Sequence, residues 1–450
     1  ERVDKMKMRT EQKTAVKNSI GRLVFVALSV LLQVIWICVQ AMKLNRYSTW
    51  ISVATSVLTL VVVILLYGRR TNAAFKMPWI ILILAFPVLG LGMYLLFGRK
   101  EATQLVRERF ERIDQSLDGL LIQDKAVRIK LQQTDRMAAN EAEYIWNYAK
   151  YPIYQNTDVV FYKEASEGIE AQKQALNQAK HFIFMEYHAI EDKQSFGELK
   201  EILARKAKEG VEVRLFYDDI GSIGFINTDF IQRMEAEGIQ CRVFNRLMPV
   251  LNVFMNNRDH RKITVIDGKI GFTGGYNLAD EYFNITHPYG YWKDTGVRLE
   301  GDAVRSLTVM FLEMWNAIKG TDTDYTPYFL QDGAQPHEAG LAGSVGVTQS
   351  DANIAADSAS GFVQPYADSP LDGEPVGENV YMGVVKAASE YVYFTTPYLI
   401  ISDEMSRELC LAAKRGVDVR IVTPGIPDKK LVYRVTRSYY AQLASAGVRI

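Results

Sequence analysis

The strongest constraint on the fold of this chain is a strand–helix–strand pattern that occurs twice. In the first copy, an apolar strand over residues 181–187 is followed by an amphipathic helix over residues 196–209 and a strand over residues 211–217. A short loop at Gly210 joins helix and strand, which is typical of a right-handed crossover between neighbouring strands. The pattern predicts an α/β fold with a parallel or mixed sheet covered by helices.

The same pattern returns near the end of the chain. Residues 391–398 parallel residues 181–188, and residues 416–420 parallel residues 210–214. Two copies of one α/β unit indicate an internal duplication. The alternative is the generic likeness of any two strand–helix–strand segments.

Reactive side chains follow the first copy. Residues 257–267 read Asn-Arg-Asp-His-Arg-Lys-Ile-Thr-Val-Ile-Asp, and apolar and polar residues alternate in them as in a strand. His260 and Lys262 are two positions apart, so they point to the same face of that strand. Asp267 and Gly268 form a favoured hairpin turn before a second strand over residues 269–273. The sequence therefore predicts an imidazole and an ammonium side by side on a β-hairpin.

This pair suits chemistry at a phosphorus centre. The imidazole of His260 attacks or transfers a proton, while the charge of Lys262 holds the non-bridging oxygens. Gly274 and Gly275 let the backbone come close, and Asn277 offers an amide donor to the same oxygens. A lone strand histidine is more often a packed or exposed residue, but the joint pattern favours a site. A metal site is disfavoured because Lys262 would repel the cation.

The motif resembles the HKD motif of the phospholipase D superfamily. Its residues are His260, Lys262, Asp267, Gly274, Gly275 and Asn277. The flanking residues 257–262, 274–282 and 291–295 are similar to the bacterial cardiolipin synthase branch of that family. The resemblance implies phosphatidyl transfer between two phosphatidylglycerol molecules, giving cardiolipin and glycerol through a phosphohistidine, with membrane lipids as partners.

The resemblance also implies roles for individual residues. His260 would be the nucleophile, Lys262 and Asn277 would neutralise phosphoryl oxygens, and no cofactor or metal would be needed. Asp267 would orient a histidine. Glu186 and His188, at a strand end, and Asp294 are expected to support the site. The ordinary alternatives are water-facing groups for the first two and a structural salt bridge for Asp294.

Other functions stay open beside the synthase. One is a membrane-bound phospholipase D that hands the phosphatidyl group to water, and another is a non-catalytic lipid-binding scaffold. Enzymes of the resembled family build one site from two HKD motifs, and the spacing puts the matching histidine of the second copy beyond Ile450. We expect the natural protein to continue past Ile450 with that motif.

Three uncharged apolar runs precede the α/β units, over residues 23–42, 50–67 and 77–97. The first two are long enough to cross a bilayer, whereas the third contains Pro78 and Pro87 and would be kinked or re-entrant. These runs predict N-terminal transmembrane helices, a membrane-embedded enzyme and a multi-pass location in a bacterial cell membrane. Basic residues flank the third run, so the side that holds the catalytic part stays open.

The sequence divides into six segments. They are a basic N-terminal segment (1–22), a transmembrane region (23–98), a helical connector (99–150), a first phospholipase D-like domain with the HKD motif (151–320), a linker (321–378) and the start of a second such domain, incomplete before its expected motif (379–450). The chain has 52 basic and 52 acidic residues. This zero net charge disfavours nucleic acid as a partner. The oligomeric state, a homo-oligomer included, stays open.

Overall fold

The computed structural model describes residues 31, 48–69, 73–97, 104–117, 119–245, 258–329, 361–369 and 373–450. The predictions for residues 1–22, for the apolar run 23–42 apart from Leu31, and for residues 330–360 of the linker lie outside these ranges. The chain forms two compact units. The first comprises residues 1–107, 247–257 and 400–407, and the second comprises residues 108–246, 258–399 and 408–450.

The first unit contains three apolar helices in its described part. They are α1 (Ser48–Gly68), α2 (Ala73–Ala85) and α3 (Pro87–Phe97). Leu66, Ile83 and Tyr94 are buried together between them. A Cβ atom built on Gly90 would lie 2.6 Å from Cα of Ile83, so only glycine allows α2 and α3 to approach this closely.

The prediction of transmembrane helices is wrong for residues 50–67 and 77–97. Among the described residues, no helix combines the length and the apolar character that a membrane crossing needs. The third apolar run breaks before Pro87 into α2 and α3, which have 13 and 11 residues. At 1.5 Å per residue each covers about 20 Å or less of a hydrocarbon core of roughly 30 Å. In α1, Thr55, Ser56 and Thr59 interrupt the apolar run near its middle. The multi-pass location has no support from these helices.

A seven-stranded mixed sheet is the centre of the second unit. Its strands are β1 (Thr157–Tyr162), β2 (Phe182–Tyr187), β3 (Glu212–Asp218), β4 (Gln240–Phe244), β5 (Lys262–Ile266), β6 (Ile270–Gly274) and β7 (Gly296–Gly301). They lie in the order β1-β7-β6-β5-β2-β3-β4. Strands β2, β3 and β4 are parallel, and all other neighbours are antiparallel. The predicted α/β class with a mixed sheet is thus confirmed.

Helices cover both faces of this sheet. Between residues 104 and 329 the described helices are α4 (Gln104–Leu117), α5 (Lys125–Thr134), α6 (Arg136–Ala149), α7 (Ala165–Asn177), α8 (Gln194–Lys208), α9 (Asp219–Ser222), α10 (Phe230–Ala236) and α11 (Val304–Ile318), with short 3-10 turns at Asp280–Phe283 and Thr326–Tyr328. Side chains of α7 and α8 share one core with Ile183 and Val213. On the other face Phe311 of α11 stacks on Phe184 with ring centroids 4.5 Å apart. The nearly continuous apolar residues of β2 and β3 explain why both faces of these strands are buried.

The second copy of the pattern forms a smaller sheet. Its elements are α12 (Val376–Ala387), β8 (Tyr391–Thr395), α13 (Asp403–Lys414), β9 (Asp418–Val422), α14 (Lys430–Ser438) and α15 (Tyr440–Ser445). Strands β8 and β9 pair in parallel, as β2 and β3 do, and Arg449 bridges to Arg420 in parallel, as β4 pairs with β3. The repeated strand pattern is confirmed, while the domain boundaries stay predictions.

Candidate active site

The predicted histidine and lysine lie where three strands of the sheet end or begin. Lys262 is the first residue of β5 and pairs with Tyr187, the last residue of β2, because the two strands are antiparallel. Asp218 ends the neighbouring strand β3. The carboxyl ends of β2 and β3 therefore meet the start of β5, which brings His188, Asp218 and His260 to one edge of the sheet. In α/β folds such an edge is the usual position for a binding site.

Lys262 is a buried cation that contacts His260 directly. Its Nζ donates a hydrogen bond to the carbonyl oxygen of His260 at 2.7 Å and lies 3.4 Å from Nδ1 of the same residue. Burial lowers the pKa of Lys262 to about 8, although the charges of Asp259, Asp294 and Glu186 oppose this shift. Lys262 is therefore mostly protonated at neutral pH and carries its charge beside the imidazole.

The imidazole of His260 is neutral at physiological pH. Desolvation lowers its pKa to about 4, and the charges of Lys262, His188 and Lys429 contribute in that order. The side chain nevertheless keeps an exposed surface. A neutral, accessible imidazole beside a fixed ammonium is able to attack an electrophilic centre that carries negative oxygens.

His188 is a second imidazole at this edge. Its ring centroid lies 4.6 Å from that of His260. Nδ1 of His188 lies 2.6 Å from the carbonyl oxygen of Asp259. Because a carbonyl oxygen only accepts, Nδ1 carries the hydrogen and donates a hydrogen bond to it. A Cβ atom on Gly221 would lie 2.1 Å from the carbonyl oxygen of His188, so glycine is required there. The hydrogen bond from His188 fixes Asp259, the residue before His260, to the end of β2.

Asp218 holds the segment that carries His260. Its carboxylate is fully buried and accepts hydrogen bonds from the backbone N–H groups of Gly221 at 3.0 Å and Asp259 at 3.1 Å. It also accepts a hydrogen bond from Nη1 of Arg258 at 3.1 Å. Sequence reasoning missed Asp218, yet it ends the second of two adjacent parallel strands, and that position is the signal that would have found it.

Glu186 and Asp259 form a buried pair of carboxyl groups below His260. Burial raises the pKa of both, and the charge of Asp259 raises the pKa of Glu186 further. Within the described residues, neither side-chain oxygen of Glu186 nor Oδ2 of Asp259 accepts a hydrogen bond from another donor. Two adjacent carboxylates do not both ionise in an apolar site, so the raised pKa values favour a proton on one of the two groups. Arg261, whose charge lowers the pKa of both groups, balances the remaining negative charge.

Asp267 lies at the other end of β5 from His260. Its carboxylate accepts hydrogen bonds from the backbone N–H groups of three consecutive residues at 2.8 Å each, namely Lys180, His181 and Phe182. Five strand positions of roughly 3.3 Å each put it about 16 Å from Lys262. The structure therefore does not bring Asp267 to His260, and its carboxylate anchors the start of β2 instead.

The turn itself has the predicted form. Asp267 and Gly268 have φ values of 51° and 66°, and the N–H of Lys269 donates to the carbonyl oxygen of Ile266 at 3.0 Å. Positive φ at both central residues is the hairpin geometry that an Asp-Gly pair favours.

Asn277, Gly274 and Gly275 lie near the site but have contacts of their own. The carboxamide oxygen of Asn277 accepts a hydrogen bond from the N–H of Ala189 at 3.1 Å, and its Nδ2 donates to the hydroxyl of Tyr282 at 2.8 Å. Asn277 thus fixes the residue next to His188. The backbone of Gly274 faces that of Gly296 in the β6–β7 pair.

Asp294 approaches the backbone of Gly275 and adds negative charge near Lys262. A Cβ atom on Gly275 would lie 2.1 Å from Oδ1 of Asp294. That oxygen also accepts a hydrogen bond from the N–H of Thr295 at 2.8 Å. Burial raises the pKa of Asp294, and the charge of Lys262 opposes the shift. Gly275 is therefore required so that this carboxyl group fits beside the hairpin.

Two family models match the chain. A model described as the phospholipase D-like domain of cardiolipin synthase matches residues 173–315 and 381–450, which include His260, Lys262 and Lys429. A model described as the N-terminal segment of phospholipase D nucleases matches residues 55–99.

Proteins with similar sequences cover most of the chain. An uncharacterised protein of Streptococcus mutans is 38% identical over 86% of this chain and 79% of its own length. A cardiolipin synthase of Halalkalibacterium halodurans is 31% identical over 89% of this chain and 76% of its own length. A protein of Bacillus anthracis named cardiolipin synthase 2 is 30% identical over 86% of this chain and 71% of its own length.

Proposed function

The chain belongs to the cardiolipin synthase family of phospholipase D-like phosphatidyltransferases, and on that basis we propose that it transfers a phosphatidyl group between two phosphatidylglycerol molecules. The products are cardiolipin and glycerol, and the reaction takes place at a membrane surface, where these lipids are found. The observation that carries the proposal is the neutral imidazole of His260, held within 3.4 Å of the ammonium of Lys262 at an accessible sheet edge.

The first half of the reaction forms a bond between His260 and phosphorus. A ring nitrogen of the neutral imidazole attacks the phosphodiester, the N–P bond forms, and the P–O bond to the departing glycerol breaks. Lys262 stabilises the negative charge that develops on the non-bridging oxygens. The departing oxygen takes a proton from a second histidine, which a second HKD motif supplies in the resembled family.

The second half reverses these steps with a new alcohol. A glycerol hydroxyl of the second phosphatidylglycerol loses its proton to the same base and attacks phosphorus, so that a P–O bond forms and the N–P bond breaks. The free imidazole of His260 is restored. His188 and Asp218 are proposed as positioning residues, because both hold the backbone at Asp259 next to the nucleophile.

A lipid assay on the full-length protein tests the function. The purified protein is mixed with phosphatidylglycerol in detergent micelles, and lipids and free glycerol are measured over time. The proposal predicts cardiolipin and glycerol in equal amounts. Phosphatidic acid as the sole lipid product would identify a hydrolase instead. Binding of lipid without any product, by a protein whose folding is verified, would support the non-catalytic scaffold.

A further inference from the structure

A loop of the second strand–helix–strand copy lies close to the first copy within the second unit. This loop, residues 423–429, connects β9 and α14. A Cβ atom on Gly290 would lie 3.4 Å from Cδ1 of Ile426, which shows how closely the loop approaches the segment between β6 and β7. Burial raises the pKa of Tyr398, and Asp428 and the charges of Tyr282 and Tyr289, two residues of the segment between β6 and β7, raise it further.

The loop presents a lysine from a fixed position. The hydroxyl of Tyr398 donates a hydrogen bond to Asp428, the residue before Lys429. Nζ of Lys429 lies 5.0 Å from the centroid of the Tyr398 ring, which is a favourable cation–π distance. The Lys429 side chain is exposed. Tyr398 therefore holds the residue before Lys429 by a hydrogen bond and contacts the ammonium group of Lys429 with its ring.

Lys429 is also an electrostatic neighbour of the nucleophile. Burial is the main cause of the lowered pKa of His260, and the charges of Lys262, His188 and, last, Lys429 lower this pKa further. A transferred phosphodiester carries a single negative charge, and Lys262 already accompanies it. Lys429 ends the loop that packs against Gly290 and has an exposed side chain, so it is available to a second anion at this edge.

We propose that Lys429 binds the phosphate of the acceptor phosphatidylglycerol while Lys262 binds the phosphate that is transferred. This inference rests on the proposed synthase function and names the residue that selects the acceptor. An acceptor phosphatidylglycerol bears its own phosphate on the glycerol whose hydroxyl attacks the phosphohistidine. Water and free glycerol have no such phosphate. Lys429 thus favours a lipid acceptor over water or free glycerol, which suppresses hydrolysis.

The chemical step is the same for every acceptor. The acceptor hydroxyl forms a P–O bond, the N–P bond to His260 breaks, and the proton of the hydroxyl passes to the base that protonated the first departing oxygen. Only the binding of the acceptor differs, so loss of Lys429 should change the choice of product more than the formation of the phosphohistidine.

The test compares two acceptors in the same micelles. Cardiolipin formation reports transfer to phosphatidylglycerol, and incorporation of labelled glycerol into phosphatidylglycerol reports transfer to a neutral alcohol. Lys429→Met should lower cardiolipin formation about tenfold or more relative to glycerol incorporation, as expected for the loss of one charge-assisted contact. Lys429→Arg should restore much of the ratio. Lys430→Met removes an adjacent exposed charge and should leave the ratio as in the wild type.

The outcomes separate this inference from the proposed function. A wild-type protein that incorporates glycerol but makes no cardiolipin contradicts the synthase function itself. If the wild type makes cardiolipin, then an unchanged ratio in Lys429→Met, or an equal fall of both reactions, overturns the acceptor role of Lys429 alone. An equal effect of Lys430→Met would show that only general surface charge matters and would overturn it as well.

Discussion

The imidazole rings of His188 and His260 lie with their centroids 4.6 Å apart, although they follow and precede different strands. The antiparallel pairing of β2 with β5 produces this contact, because it puts the end of one strand beside the start of the other. Nδ1 of His188 donates a hydrogen bond to the carbonyl oxygen of Asp259 at 2.6 Å. His188 therefore controls the backbone from which His260 projects.

We expect His188→Ala to slow the reaction without abolishing it. Loss of the hydrogen bond to Asp259 frees the segment that carries the nucleophile and should lower kcat by about tenfold, with a smaller effect on KM. His188→Asn keeps a donor near the position of Nδ1 and should recover part of the rate. Steady-state kinetics of both variants measure this. Equal rates in His188→Ala and the wild type would remove the positioning role.

The pH dependence of kcat/KM should have limbs near pH 4 and pH 8. His260 attacks only when neutral, and its pKa is lowered to about 4, so activity falls as the pH drops through that value. Lys262 must keep its charge, and its pKa is lowered to about 8, so activity falls as the pH rises through that value. Lys262→Arg should be slower but should lose the alkaline limb, because arginine stays charged. An acidic limb at the ordinary histidine pKa would contradict this environment for His260.

Asp267→Ala should destabilise the fold more than it affects the chemistry. Three backbone N–H groups lose a charged acceptor, which we expect to cost about 2–3 kcal/mol in the free energy of unfolding. Asp267→Asn keeps one carbonyl acceptor and tolerates the positive φ of this turn, so it should cost less. Urea unfolding measures both values. A large loss of kcat in folded Asp267→Ala with unchanged stability would point to a direct part in catalysis instead.

Glu186→Gln should change how stability depends on pH. The pKa of Glu186 is raised in the folded protein, so its contribution to stability is present below the unfolded pKa and is lost as the pH rises through the folded pKa. Glutamine stays neutral at every pH. The variant should therefore match the wild type near pH 4 and be more stable near pH 8. Urea unfolding of both proteins at pH 4 and pH 8 checks this. The same difference in free energy of unfolding between variant and wild type at both pH values would show that the pKa of Glu186 is not raised in the fold.

Local sequence patterns predicted much of the fold and half of the site. Strands β2 and β3 lie within one residue of their predicted ends, because alternation and helix periodicity depend on neighbouring residues. The shared face of His260 and Lys262 follows from the two-residue period of a strand. The transmembrane prediction was wrong where the third run breaks before Pro87.

The remaining site residues depend on contacts between distant parts of the chain. Asp267 belongs to the sequence motif, yet it follows the last residue of β5, whereas His260 precedes the first. Asp267 therefore lies next to Phe182 and not next to His260. Asp218 and His188 meet His260 only because β2, β3 and β5 are neighbours in the sheet. The charge of Lys429 acts on His260 because the loop after β9 packs against Gly290, and the sequence periodicity does not predict that packing.

The most direct test of the account is the detection of the phosphohistidine. The full-length protein is mixed briefly with phosphatidylglycerol labelled in the phosphatidyl group, denatured at alkaline pH, where phosphohistidine is stable, and digested for peptide analysis. We predict an acid-labile label on the peptide containing His260 and none in His260→Asn, which should remain folded because the side chain is exposed. A label on another residue, or normal cardiolipin formation by His260→Asn, would contradict the assignment of His260 as the nucleophile.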